Sequence, residues 1–340
     1  MEFNDPMGWK ENIKKWGSEL GFVSIGFTTG QPIDSLTPLL QERFTQGLAT
    51  PFESEAIEQR INPQAVWQEC RTVVALAYPF PYAVPPQRGE GVLARSAVGV
   101  DYHKSITQQI NYLVDTMTLN GWPGIPRWQA DTGPLVERAF AVRAGVGWLG
   151  RNQQLIIPDF GSFAALALLL LDQEIPSDNP LPNKCGDCQR CVEACPAQII
   201  GQEQFAAKRC LSYLTQSKEV LDPKERLSLG LRIFGCDTCQ EVCPHNQKRI
   251  EEEQNVVISA AYRRGVDLLS TLCLTKRQFL DSYKLTAAGW RGKGILQRNA
   301  FLALQNAKDD RYKSWLVESL KTKSIPPILT PYLSQIVLGI

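Results

Sequence analysis

Seven cysteines fall into two compact runs, and their spacing constrains this chain more than any other feature. The first run is Cys185-Gly-Asp-Cys188-Gln-Arg-Cys191-Val-Glu-Ala-Cys195-Pro196, and the second is Cys236-Asp-Thr-Cys239-Gln-Glu-Val-Cys243-Pro244. The first has the C-x2-C-x2-C-x3-C-P spacing of proteins that carry two iron–sulfur clusters. In such pairs three cysteines of a run hold one cluster, and the fourth, before proline, reaches across to the other. Cys185, Cys188 and Cys191 are therefore expected to share a cluster with Cys243. Cys195 joins Cys236 and Cys239, and Cys210, lying between the runs, supplies the thiolate that this second set still lacks. Eight cysteines then serve two [4Fe-4S] clusters. Cys70 and Cys273 are left over, and buried packing is the expectation for both. Zinc prefers two separated C-x2-C pairs and has no use for a third close cysteine. Disulfides would need a secretory context, and the N-terminal residues lack a basic region followed by an apolar one.

The chain's 340 residues leave room for two or three domains, and a hydrophobic content of 44% suits a real core. No apolar stretch reaches the length of a membrane span; the longest, residues 163–171, reads as a buried strand or short helix. Reduced cysteines without an export signal point to the cytoplasm. The net charge of +1 hides an asymmetry. Residues 261–340 hold 13 Lys or Arg against 5 Asp or Glu, whereas the preceding 260 residues hold 23 against 30. A basic C-terminal surface of that kind suits a polyanion.

Periodicity divides the chain into three parts, 1–174, 175–250 and 251–340. The first mixes helical spacing (9–20, 105–119, 137–144) with strand patterns at 22–27, 72–78, 154–158 and 162–171, the last two read as central strands. It is an α/β or α+β domain. The second holds the cysteine runs, with a helical stretch at 224–232 between them. After residue 251 the chain reads as helical. Residues 291–304 have the look of one helix of a HEAT-type pair, with 315–320 as its partner.

The first part has no G-x-G-x-x-G after a strand and no P-loop. Its polar residues collect in two segments instead. One is Val100-Asp101-Tyr102-His103-Lys104, where His103 reads as a capping or packing residue that lines a pocket beside Tyr102. The Asp-x-His-x-x-Gly signature of a cobalt-ligating histidine fails here, because Ile106 stands where Gly is needed. The other is Gln129-Ala-Asp131-Thr-Gly-Pro134-Leu-Val-Glu137-Arg138, followed by Trp148-Leu-Gly-Arg151-Asn152. Asp131 reads either as a helix cap or as an acid in a cleft, whose pKa apolar walls would raise into the range of a proton donor. Glu137 and Arg138 read as a surface pair, or Arg138 as a binder of an anionic cofactor group.

Taken together, Asp-Tyr-His-Lys, Asp-Thr-Gly-Pro-Leu-Val-Glu-Arg, Ala-Gly-Val-Gly-Trp-Leu-Gly-Arg-Asn, the first cysteine run, Arg-Cys-Leu-Ser-Tyr-Leu-Thr and Gly-Cys-Asp-Thr-Cys-Gln-Glu-Val-Cys-Pro resemble the epoxyqueuosine reductase family over nearly the whole chain. The resemblance implies a multidomain α+β protein: a nitroreductase-like α/β domain adapted to cobalamin, a ferredoxin-like domain with two [4Fe-4S] clusters, and HEAT-like helices. It implies reduction of epoxyqueuosine to queuosine at the tRNA wobble position. It makes Asp131 the proton donor and suggests Arg60, Tyr102, His103, Arg138, Asn152 and Ser212 for the corrinoid pocket.

Opening an epoxide to an alkene takes two electrons and two protons, and no side chain supplies such electrons. The expected route runs singly from the clusters to cobalamin held without a lower ligand (base-off), with Asp131 protonating the departing oxygen. The resemblance implies an intact anticodon loop as substrate, which makes Lys276, Arg277, Arg291, Lys293 and Arg298 candidate phosphate contacts. A monomer served by an unidentified electron donor is expected. The rival readings are a corrinoid reductive dehalogenase, a ferredoxin-type electron carrier, and an RNA-binding protein with structural clusters. The first of these usually has an export signal and lacks a basic tail.

Overall fold

The computed structural model describes residues 5–322 and 324–333. Nine strands lie among the described residues: β1 (Ser24–Thr29), β2 (Thr72–Pro79), β3 (Gly91–Leu93), β4 (Arg127–Gln129), β5 (Trp148–Leu149), β6 (Leu155–Ile156), β7 (Ala164–Leu171), β8 (Arg232–Phe234) and β9 (Gly265–Val266). The main sheet has the order β1-β2-β7-β4, with every pairing antiparallel.

Alternation along β2 and β7 explains why this sheet is covered on both faces, since successive side chains of a strand point to opposite sides. Val74, Leu76, Ala167 and Leu169 pack with Trp9 and Ile13 of the helix Pro6–Glu19 and with Ile106, Ile110 and Leu113 of the helix Tyr102–Leu119. Val73, Ala75, Leu168 and Leu170 face the other way, onto Phe140 and Ala141 of the helix Glu137–Arg143. Continuous apolar runs such as 163–171 are what a strand sandwiched between helices requires. The expected strands at 72–78 and 162–171 are found here. The segment 154–158 is not a central strand, because Leu155–Ile156 pairs only with Trp148–Leu149. The helix expected at 224–232 is Pro223–Leu229, started by a capping box of Asp222 and Glu225. It stops at Gly230, after which the chain turns into β8.

A second sheet, β8-β3-β9, stitches the three parts of the chain together. β3 pairs in parallel with β8, from between the cysteine runs, and antiparallel with β9. One core accordingly mixes Leu93 and Val98 with Leu211, Ile233, Leu268, Leu296 and Phe301. Near the C-terminal end the helices Lys293–Asn306 and Arg311–Lys321 follow one another closely, as the helical spacing suggested. Among the described residues no helix is long and apolar enough to cross a membrane. Cys70 is buried, and burial pushes its thiol up to about 12, whereas Cys273 is exposed, contrary to the packing role expected for it.

Candidate functional site

Several stretches distant in sequence border one open cleft of about 1140 Å³, part of it open to solvent. Tyr102, Asp131, Asn152, Ser162 and Ala164 line it from the first part of the chain, and Cys195, Cys210, Ser212, Cys236 and Cys239 line it from the second. A separate, smaller hollow is lined by Cys185, Cys188, Cys191 and Cys243, beside Arg151 and His245. The eight cysteines thus lie in the two quartets that their spacing suggested. The thiols of each quartet influence one another. Cys191 is raised by burial and further by Cys243, Cys188 and Cys185; Cys210 is pushed up to about 11 by burial, with Cys236 and Cys195 adding to it. Among the described residues no three His, Cys, Asp or Glu side chains converge tightly enough to hold one metal ion. Asn152 borders both hollows; it is buried, and its Nδ2 donates to the Cys239 carbonyl at 3.4 Å.

Asp131 sits in a loop held open by its neighbours. Its φ of 60° is in the left-handed region, one that Asp adopts more readily than most residues. The Gln129 amide spans the loop, donating to the Leu135 carbonyl at 3.0 Å and accepting from the Leu135 N–H at 3.1 Å. The Asp131 N–H donates to Glu137 Oε1 at 2.7 Å. Glu137 is therefore not paired with Arg138; it anchors the loop, and burial pushes its carboxyl up to about 8, with the Asp131 charge contributing. These two anchors, Gln129 and Glu137, escaped sequence reasoning, because nothing in a string shows which backbone groups they meet.

The Asp131 carboxylate caps no helix. Its Oδ2 accepts from the Tyr102 hydroxyl at 2.5 Å and lies 3.1 Å from His103 Nε2. His103 Nδ1 is 2.7 Å from Asp101 Oδ1, so both ring nitrogens are engaged and neither is free to bind a metal. The Tyr102 and His103 rings stack at 4.1 Å. The expectation of a raised Asp131 pKa fails. The side chain is half exposed, and the hydrogen bond from His103 holds its carboxyl below the usual range. The proton resides on the imidazole instead: hydrogen bonds to Asp101 and then Asp131 push His103 up to about 9. Burial and the Asp131 charge push the Tyr102 phenol well above its ordinary value, so it stays a donor.

Other expected residues lie elsewhere. Arg60 is buried off the cleft lining, paired with Glu53 at 3.2 Å and leaving its Nη1 without a partner. Arg138 is exposed and donates to the Gln153 carbonyl. Arg298 cannot meet a phosphate. It is fully buried and donates to the carbonyls of Ser217 and Leu214 and to Asn299 Oδ1. Asn299 in turn donates to the carbonyls of Thr215 and Ile233, so this pair clamps the segments that carry Cys210 and Cys236. Lys293 donates to the Leu274 carbonyl at 3.1 Å. Lys276 and Arg277 are exposed, Arg277 near Asp281, and Arg291 is partly exposed.

Comparison with known proteins bears on this arrangement directly. Residues 184–246 match the family model described as a 4Fe-4S double cluster binding domain, and residues 60–132 match that described as Epoxyqueuosine reductase QueG. The epoxyqueuosine reductase of Listeria monocytogenes is 34% identical over 94% of this chain and 86% of its own length. A crystal structure of epoxyqueuosine reductase with an epoxyqueuosine-modified tRNA-Tyr stem loop superposes with a TM-score of 0.80 at 32% identity, covering 89% of this chain and 83% of that one. The Bacillus subtilis epoxyqueuosine reductase, described with its catalytic aspartate loop swung out of the active site, gives 0.84 at 30% identity over 95% of this chain and 88% of that one. With this identity sustained over most of both chains, and with a mixed α/β fold joined to a cluster-binding segment and helices, the chain belongs to the epoxyqueuosine reductase family.

Proposed function

We propose that this chain reduces epoxyqueuosine in the anticodon loop of tRNA, with the cleft as the reaction chamber. One observation carries the reading: a single cleft is lined both by Tyr102 and Asp131, with His103 behind them, and by the Cys195, Cys210, Cys236 and Cys239 quartet. Proton supply and an electron source thus face the same space.

The residues present fit the implied cofactors. The two quartets match the ligand sets of two [4Fe-4S] clusters, Cys185, Cys188, Cys191 and Cys243 for one and Cys195, Cys210, Cys236 and Cys239 for the other. The cleft walls alternate apolar surface, such as Phe80, Ala164 and Ile200, with short polar groups, such as Ser96, Gln154, Ser162 and Ser212. That combination suits a corrinoid with apolar faces and an amide-bearing rim. The engagement of both His103 nitrogens agrees with a base-off state. Tyr102, Asp131, Asn152 and Ser212 are the residues that would border it; His103 would act through Asp131. Bound clusters and cobalamin would supply low-potential electrons one at a time.

The protein's own part is to hold the base and to move a proton. At neutral pH His103 carries the proton and Asp131 is an anion between it and the cleft. As charge grows on the departing oxygen, the proton on His103 Nε2 moves to the Asp131 carboxylate, which delivers a proton to that oxygen, leaving the imidazole neutral and Asp131 again an anion. The acid is thus the pair, and Tyr102 keeps the carboxylate oriented. Lys276 and Arg277 are exposed cations available to phosphates, and Arg298 drops out of the set expected to meet them. The division at 1–174, 175–250 and 251–340 remains a useful description of chemistry, with residues 1–4, 323 and 334–340 outside the described ones. A cytoplasmic monomer fed by a separate electron donor completes the reading.

Asp131→Asn tests it. The variant is expected to keep its iron and its corrinoid while turnover on modified stem loop falls about 10²–10⁴-fold, the usual worth of general acid catalysis. Wild-type turnover would remove Asp131 from the reaction.

A further inference from the structure

Beside the cleft lies an exposed aromatic group that the reaction as described leaves unused. Phe52 is 46% exposed and Trp290 51% exposed, and their ring centroids are 5.2 Å apart at 68°. Phe52 also touches Tyr213 edge-on at 5.3 Å. The Arg291 guanidinium lies 4.7 Å from the Trp290 centroid and 5.3 Å from that of Phe52. Among the described residues Arg291 makes no ion pair with a carboxylate. Large apolar rings at half exposure are a cost unless something covers them.

A chain of hydrogen bonds fixes this group to the cleft. Trp290 Nε1 donates to Gln216 Oε1 at 2.8 Å, and Arg291 Nε donates to the Gln216 carbonyl at 2.8 Å. The Gln216 amide then donates at 2.8 Å to the carbonyl of Ser212, a residue of the cleft wall. On the other side Phe52 precedes Glu53, which pairs with Arg43 at 3.1 Å. Arg43 donates at 2.7 Å to the carbonyl of Phe205, another wall residue. The rings are thus tied from both sides to residues that line the cavity.

We infer that Phe52, Trp290 and Arg291 form a stacking site for an unpaired nucleobase adjacent to the modified one in the anticodon loop. The inference rests on the function proposed above and adds to it a second base contact. Single-stranded bases stack on aromatic rings and guanidinium planes, and every base offers a π-face. A base that leaves the loop stack to enter the cleft deprives its neighbours of a stacking partner, and this platform replaces it. The unpaired charge of Arg291 suits the adjoining phosphate, which favours RNA over an apolar protein partner.

Trp290→Ala and Phe52→Ala, both at exposed positions, are compared with wild type in holoenzyme form for turnover of an epoxyqueuosine-bearing stem loop. The same measurement uses a loop with an abasic site next to the modified nucleoside. Loss of one stacked base is expected to raise KM about 10-fold or more, with kcat nearly unchanged. Trp290→Phe should retain most of the affinity, and iron content and cluster absorbance should not change. On the abasic loop, wild type and Trp290→Ala should have the same KM. An unchanged KM for both alanine variants on the intact loop overturns the inference, as does an equal loss on intact and abasic loops. A variant that binds both loops normally but loses turnover only with a protein electron donor, and not with a chemical reductant, assigns the patch to that donor and also overturns it. If wild type fails to bind or reduce the intact loop, the function itself falls, a result separable from the others.

Discussion

Replacing Asp101 by Asn isolates the charge that keeps the His103 imidazole protonated. Asp101 does two things: its side chain accepts from the His103 N–H as the cap of the helix Tyr102–Leu119, and it lies 2.7 Å from His103 Nδ1. Asn caps helices as well as Asp does, so the variant keeps the helix start and loses the charge alone. His103 is raised to about 9 from 6.5, first by Asp101 and then by Asp131. At 1.36 kcal/mol per pKa unit that preference for the charged form is about 3.4 kcal/mol. The ring is 32% exposed, so solvent screening leaves about 2–3 kcal/mol. With the charge of the leading partner removed, the His103 pKa should move down by about one unit. A raised histidine holds its proton through the neutral range and loses it as pH rises through its folded value. Proton supply should therefore fail above about pH 9 in wild type and nearer neutrality in Asp101→Asn. The assay is kcat/KM for stem-loop reduction from acid to alkaline pH, which reports the groups of the free enzyme. Because the chain has only two histidines, labelled imidazole resonances give an independent titration. An alkaline limb that stays put in the variant, or a wild-type profile flat across pH 9, refutes the assignment of the proton to His103.

Other outcomes follow from particular contacts. Arg232 Nε donates to Cys236 Sγ at 3.2 Å, and a positive hydrogen bond to a ligand sulfur raises a cluster's potential. In Arg232→Leu, redox titration followed by electron spin resonance should find one cluster lowered and the other unmoved. Arg298→Ala leaves buried carbonyls without donors, at about 1–3 kcal/mol apiece, so cluster absorbance should be lost at a lower temperature than in wild type. Changing both Lys276 and Arg277 to Ala should weaken stem-loop binding evenly and flatten its salt dependence by up to two phosphate contacts, read from binding at several ionic strengths.

The parts of this molecule that were legible in its sequence are those fixed by local spacing. Loops of two or three residues bring thiols together within each run whatever surrounds them, while Cys195, Cys210 and Cys243 reach their quartets only through the fold, and β7 could be read from an unbroken apolar run. Long-range polar pairing was not legible. Asp131 and His103 are 28 residues apart, and only the fold makes one lower the other's pKa, so reasoning from apolar walls gave the wrong direction. Arg298, flanked by Gln297 and Asn299, reads in the sequence as a candidate phosphate contact. All three are buried, because they satisfy backbone carbonyls of neighbouring segments. Counting charges locates a basic region but cannot tell which cations are already spent.

The small sheet in which β3 lies between β8 and β9 has a practical consequence. Each of its ribbons is borrowed from a different third of the polypeptide, so no cut between those thirds leaves a self-sufficient fragment. Expressing residues 1–174 alone would strip both flanks from β3 and bare Leu93 and Val98. The apparatus that receives electrons and the one that holds the base must therefore fold as a single unit, and neither can be exchanged as a cassette.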